Sequence, residues 1–149
     1  MAKNQLDLSQ PSHRHAAERL RNDYMMWLST VRPDGRPHLV PVWFLWEEDP
    51  SNPGSGTILI FSKPDQKIRN LKQNNRVVVA LDDTRDGADV LFIEGTARLL
   101  DPTEVDSTLP AYGQKYGAKL SSMGWTPESM AREYTEPIRI TPTRFWAES

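Results

Sequence analysis

The sequence has no cysteine in 149 residues. That removes disulfides, thiolate nucleophiles, zinc–thiolate sites and iron–sulfur ligation together. Long apolar runs are missing too. None approaches the ~20 residues of a membrane span, and no secretory signal pattern opens the chain. The expectation is a cytoplasmic protein. Net charge is only -2, so there is no general pull toward nucleic acid or a membrane surface. Histidine is scarce, with three in all. His13 and His15 lie two apart, which is not a same-face helical spacing, and no third ligand accompanies them. No metal site is expected. His38 is the only histidine inside a core element, and no Gly-x-Ser-x-Gly elbow occurs, so a nucleophilic triad has little support. Gly-x-Gly-x-x-Gly and Walker sequences are absent, which excludes the familiar dinucleotide and P-loop sites.

What is present suits one domain with a single core, 38% apolar by residue. Residues 1–11 are polar and read as a flexible N-terminus, leaving 12–149 as the domain. Ser12 can cap a helix over about 13–22 with Ala16, Ala17 and Leu20 on one side. Residues 24–31 and 37–46 read as strands joined by Pro33-Asp34-Gly35, a turn in which glycine supplies positive φ. Further strands are expected over 56–61, 76–81, 89–99 and 137–146. Gly95 suggests a bend or a close backbone approach within its strand. A helix is expected from Asp101-Pro102 to about Tyr116, kinked or split at Pro110. Residues 117–136 carry little pattern beyond a short helix near 127–134. The sum is six strands, mainly antiparallel, with short helices between them. That is a mainly β class, a closed or split barrel rather than a doubly wound sheet.

Two features stand out. Pro41 interrupts the second strand and cannot donate to a ladder, so that strand is at an edge, bulged or uncovered. An uncovered stretch leaves the N–H groups of Val42 and Trp43 free for another partner. The second feature is the stretch 60–72. Its strand ends at Ser62, Pro64 can open a helix, and Ser62 and Asp65 have capping-box spacing. Five basic residues and one acid lie between Phe61 and Arg76. A helix start crowded by cations describes an anion site, although such a run also suits a solvated helix face. With five tryptophans in the chain, the ingredients are those for a planar, phosphorylated cofactor.

The blocks Trp27-Leu-Ser-Thr-Val-Arg-x-Asp-Gly-Arg-Pro-His-Leu-Val-Pro-Val-Trp-Phe44, Phe61-Ser-Lys-Pro-Asp-Gln-Lys-Ile-Arg-Asn-Leu71, Arg76-Val-Val-Val79, Glu94-Gly-Thr-Ala97 and Arg139-Ile-Thr-Pro142 resemble the pyridoxamine-phosphate-oxidase-like split barrels. Within them the chain is most similar to the probable coenzyme F420 (deazaflavin)-dependent group. The resemblance runs from about residue 16 to the end. It implies a homodimer with cofactor clefts at the interface. It places Val40, Pro41, Val42 and Trp43 along the ring system. It places Phe61, Ser62, Lys63 and Lys67 at the ribityl and phosphate groups, with Gln66 and Arg69 as additions. Arg144 and Trp146 would approach the cleft from the other subunit. The Arg-x-Val-Leu-Leu-Lys type motif of the oxidases proper is replaced by His38-Leu-Val-Pro-Val-Trp43. That argues against pyridoxamine phosphate oxidation and for a reductase-like relative. The expected function is hydride transfer between F420 and a small organic acceptor. FMN as the cofactor, or a non-catalytic flavin- or haem-binding protein, are the alternatives. The substrate pocket is expected to involve 117–136 and the partner subunit.

Overall fold

The first two strands form the expected hairpin. In the computed structural model, which describes residues 4–148, β1 (Met25–Val31) pairs antiparallel with β2 (Pro37–Trp43) through seven unbroken partners. Gly35 sits at φ 89° in the turn, a region that glycine enters without a Cβ penalty. Inward Met26 and Leu28 alternate with outward Met25 and Trp27, the period of a sheet with one buried face.

The second strand does not run on to residue 46 as expected. It breaks at Phe44, and β3 (Leu45–Glu48) starts immediately after. The sheet has seven strands in the order β2-β1-β5-β6-β7-β4-β3, where β4 is Gly56–Ser62, β5 Arg76–Ala80, β6 Val90–Leu99 and β7 Glu136–Glu148. Strands β2 and β3 are therefore the two opposite edges, although one residue separates them in the chain. The sheet curls until its ends meet at Phe44. They are joined there by the chain rather than by a ladder, which makes the barrel split. All pairings are antiparallel.

Two apolar clusters sit on either side of this wall. The barrel interior holds Leu28, Phe44, Ile58, Ile60, Val79, Ile93, Ile138 and Ile140. It is covered by α1 (Pro11–Asn22) with Ala16, Ala17 and Leu20, and by α2 (Gln66–Gln73) with Ile68 and Leu71. The second cluster lies outside the barrel. There α3 (Leu109–Ser122) buries Leu109, Tyr112, Tyr116 and Leu120, a helical spacing of three and four. It packs on Leu45, Leu59 and Phe61, with Met130 from α4 (Pro127–Glu133). Strand β4 is thus buried on both faces, which explains why Ile58 to Phe61 is continuously apolar.

The expectations for the N-terminal segment and the start of α2 need correction, while those at Pro110 and Gly95 hold. The N-terminal segment is not loose from residue 4 onward: Leu6 is 1% exposed within the barrel cluster, and its N–H donates to the Gly54 carbonyl. Burying a leucine contributes about 1.5–3 kcal/mol, enough to hold a short polar segment down. Residues 1–3 of that stretch, and position 149, lie outside the described residues. Pro64 does not open α2, which starts at Gln66 with Asp65 as its N-cap, and no side chain caps it. The Ser62 hydroxyl donates instead to the Lys63 carbonyl at 2.7 Å, because Ser62 is still the last residue of β4. Pro110 splits the third helical region: two short 3-10 turns, Pro102–Glu104 and Asp106–Thr108, precede α3. Gly95 marks a register shift between β6 and β7, and a Cβ there would lie 2.8 Å from the Thr141 carbonyl oxygen. Among the described residues, no helix is long and apolar enough to cross a membrane.

Candidate functional site

The edge strand β2 has only β1 beside it. Its register through Pro41 is continuous, so the proline marks an edge and not a bulge. Pro37 and Pro41 share parity on this strand. A ladder is undamaged only where such residues face away from the partner. Alternation in an antiparallel pair then turns the N–H groups of Leu39 and Trp43 outward and that of Val42 toward β1. Of the two N–H groups expected to be free, Trp43 is the one this geometry leaves open.

A cleft of about 450 Å3 opens beside this edge, a size that suits a small organic ligand. Three sources build it. Strand β2 contributes Pro41, Val42 and Trp43. The end of β4, the turn after it and the first turn of α2 contribute Phe61, Ser62, Lys63, Asp65 and Lys67. The far wall is apolar and aromatic, with Tyr112 and Leu120 from α3, Met130 from α4, and Met123, Trp125 and Tyr134 around them. Seven of the twelve residues singled out from the sequence are thus brought together.

The other five are not in this cleft. Gln66 donates to the Asn70 side chain at 2.7 Å and accepts from Arg69 at 2.8 Å, so both are tied along α2. Helix geometry explains this: two residues turn the side chain by about 200°, which puts Arg69 on the far side from Lys67. Val40 pairs with Leu28 but does not line the cavity. Arg144 lies 4.2 Å over the Trp146 ring, and Trp146 stacks on Phe92 at 5.5 Å. Both are on the outward face of β7, away from the chain's own cleft.

At the polar end, the Lys67 side chain is 12% exposed and its Nζ lies 2.5 Å from Asp65 Oδ2. Asp65 Oδ1 is buried with no hydrogen-bond partner. Lys63 reaches across, 5.2 Å from the Tyr134 ring centroid. Helix α2 begins here without a side-chain cap, so its first N–H groups and its dipole point at this corner. Cations, uncapped N–H groups and an aromatic wall within one cavity form a donor set that fits a phosphorylated ring cofactor. Sequence reasoning missed Asp65 as a cleft residue, although it stands two positions before Lys67. It also missed Tyr112, whose helical spacing revealed a buried face but not its neighbour.

Aromatic packing holds the ring end in place. Trp43 stacks on Tyr116 at 4.7 Å and 6°, Tyr116 on Tyr112 at 4.7 Å, and Tyr112 meets Phe61 edge-on at 5.0 Å. The Tyr116 hydroxyl accepts from the Phe44 N–H at 2.9 Å and faces the carbonyls of Phe44 and Tyr24 at 2.6 and 2.7 Å. Lys115 Nζ donates to the same Phe44 carbonyl at 2.9 Å. Burial drives the Lys115 ammonium down to about 8. Burial likewise pushes the Tyr112 and Tyr116 phenols far above their ordinary range.

A model of the pyridoxamine 5'-phosphate oxidase family matches residues 12–148. The chain belongs to that family. The split barrel agrees with it, and solved structures share the fold. The Agrobacterium tumefaciens C58 protein Atu2129, of unknown function, aligns with a TM-score of 0.67 at 20% identity, over 91% of this chain. This chain spans only 55% of that protein's length. A protein named F420 reductase aligns at 0.59 and 22% identity, covering 87% of this chain and 94% of its own. The haem storage protein HutZ of Vibrio cholerae aligns at 0.63 and 17% identity, covering 91% and 93%. No curated protein matches the sequence. At these identities the neighbours speak for the fold, and the cleft residues must speak for the chemistry.

Proposed function

We propose that the cleft binds a phosphorylated flavin or deazaflavin, F420 first, and that the protein is an oxidoreductase acting on a small organic acceptor. One observation carries the reading. The outward edge Pro41–Trp43 and the cationic start of α2 line a single cavity, so a ring against the strand edge and a phosphate at the helix start can belong to one ligand. Bound there, the cofactor would supply or accept hydride. The protein's part is to bind, orient and exclude water. Lys67 and the first N–H groups of α2 would hold the phosphate. The Trp43 N–H would address the ring edge. The wall of Tyr112, Leu120, Met130 and Tyr134 would cover the reacting face from solvent, beside the acceptor. The proton would come from solvent or from the acceptor.

The homodimer belongs to the same reading. The outer sheet face carries one apolar rung, Pro41–Trp27–Ala80–Phe92–Trp146, beside a mixed one, Leu39–Ser29–Val78–Glu94–Arg144, each in direct register. Leu39 is 60% exposed on it and Met25 49%, more apolar surface than strand alternation alone would leave in water. Pairing two copies through this face would bury it and carry Arg144 and Trp146 toward the partner's cleft. Sedimentation at micromolar concentration should give twice the 17.0 kDa chain mass; a monomer would remove this part of the proposal.

The cofactor reading is tested by fluorescence titration with F420 and with FMN. Tight binding of F420 in preference to FMN is expected. A yellow purified protein that binds FMN alone would move the assignment to a flavin enzyme of the same fold. Lys67→Ala should weaken binding about 10- to 150-fold, the loss of one charge-assisted bond of roughly 1.5–3 kcal/mol. Unchanged affinity in that variant would remove Lys67 from the site.

A further inference from the structure

We infer that the phosphate corner is matched to a singly charged phosphodiester and discriminates against a doubly charged phosphomonoester, with Asp65 as the discriminating residue. The inference rests on the cofactor reading above and sharpens its ligand class. The sequence counts five cations around α2, but the cavity does not. Among the described residues, its charged lining is Lys63, Asp65 and Lys67. Arg69 is tied to Gln66 on the other side of the helix. The formal charge of the lining is therefore two positive less one negative, or +1.

The placement of that single negative charge matters more than the sum. Asp65 Oδ2 is 2.5 Å from Lys67 Nζ, so the most buried cation of the corner already has a partner. The second oxygen, Oδ1, is buried and unpartnered beside it. A monoanion entering this corner leaves the lining and ligand neutral together. A dianion leaves an excess negative charge within a few ångströms of a carboxylate, in a partly desolvated space where like charges disfavour one another strongly. A phosphomonoester has a second pKa near 6, so at pH 8 it is a dianion. A phosphodiester stays a monoanion at any such pH. FMN carries a monoester, and F420 joins its ring to its tail through a diester. The same chain position thereby favours one of the two cofactors by charge alone. Rejecting a near-isosteric ligand by placing an unfavourable charge against it is a recognised route to specificity.

Asp65 is open to substitution. It is the N-cap of α2, but its side chain makes no capping bond. Asparagine and serine are both good N-caps, so Asp65→Asn and Asp65→Ser should leave the helix in place. The probes are riboflavin, FMN and the methyl ester of FMN, which share one ring and carry phosphate charges of zero, two and one. Fluorescence titration at pH 8 reads the ratio of the FMN and methyl-ester dissociation constants.

The wild-type protein should bind the methyl ester about tenfold or more tightly than FMN, the size of effect that one close like charge exerts on an ionised group. Both variants should close or invert that ratio by strengthening FMN binding. A wild-type preference for FMN, or a ratio that stays within about twofold in both variants, overturns the inference while leaving the flavin site standing. If neither phosphate ester binds better than riboflavin, the cofactor reading itself fails and this inference falls with it.

Discussion

Tyr116→Phe isolates the hydroxyl that pins the point where the split barrel turns from one edge to the other. The ring is kept, so its stacks on Trp43 and Tyr112 survive. A tyrosine hydroxyl has one hydrogen to donate and lone pairs to accept with. Here it accepts from the Phe44 N–H and faces the carbonyls of Phe44 and Tyr24. Phe44 is 0% exposed. Without the hydroxyl its N–H is buried and orphaned, which costs about 1–3 kcal/mol. Its carbonyl keeps Lys115. The lost bond at Tyr24 adds about 1 kcal/mol. The expected loss is about 2–4 kcal/mol, or roughly 5–15 °C in Tm for a chain of this size. Urea unfolding followed by tryptophan fluorescence measures it, with an unchanged m-value as the sign that the native state is otherwise intact. Tyr112→Phe is the control, since no hydrogen bond from its hydroxyl is found among the described residues; it should cost less than about 1 kcal/mol. A loss under about 0.5 kcal/mol in Tyr116→Phe would refute the idea that this hydroxyl holds the pivot.

Two other perturbations have clear signs. Burial lowers the Lys115 ammonium to about 8, against 10.5 when unfolded; between those values the unfolded chain holds more protons, so stability should rise with pH from about 8 to 10. Above that, the raised tyrosines favour the unfolded state and reverse the slope. Lys115→Met should flatten the rise and, below pH 8, stabilise by about 1–2 kcal/mol, a figure discounted for partial solvation of the ammonium; urea midpoints across that range decide it, and an unchanged slope would contradict the burial argument. Leu6→Ala should cost about 2–5 kcal/mol as a core truncation, whereas a loose N-terminal segment would make it neutral in the same assay.

The hairpin, the antiparallel class and the cationic turn were legible in the residues because each is written locally. Alternation over Met25 to Val31, the Pro33-Asp34-Gly35 turn and the crowding of Lys63 and Lys67 all lie within a few positions. The break at Phe44 was not legible. Trp43, Phe44, Leu45 and Trp46 are apolar without interruption, and only the closure of the sheet makes one residue serve two edges. The capping-box pattern at Ser62 and Asp65 misled for a similar reason. The spacing is right, but β4 holds Ser62 in its ladder opposite Glu136, and the helix takes Asp65 as its N-cap, three residues beyond the Ser62 that the pattern needs. Leu6 carried no periodic signal in its polar neighbourhood, so its burial depends on Gly54, 48 residues away. At the site, counting charges along the chain overstated the cation supply, because α2 sends Lys67 and Arg69 to different sides. The apolar and aromatic wall came from α3, α4 and the residues flanking them, whose spacing reveals a buried face but not what it covers.

The central claim is that one cavity holds both ends of a phosphorylated flavin-type cofactor. Its most direct test is a crystal structure of the protein with F420 or FMN bound. The account predicts the ring along Pro41, Val42 and Trp43, and the phosphate within hydrogen-bond reach of Lys67 Nζ and the first N–H groups of α2. A cofactor seated elsewhere, or lying in this cavity with its phosphate away from Lys67, would contradict it.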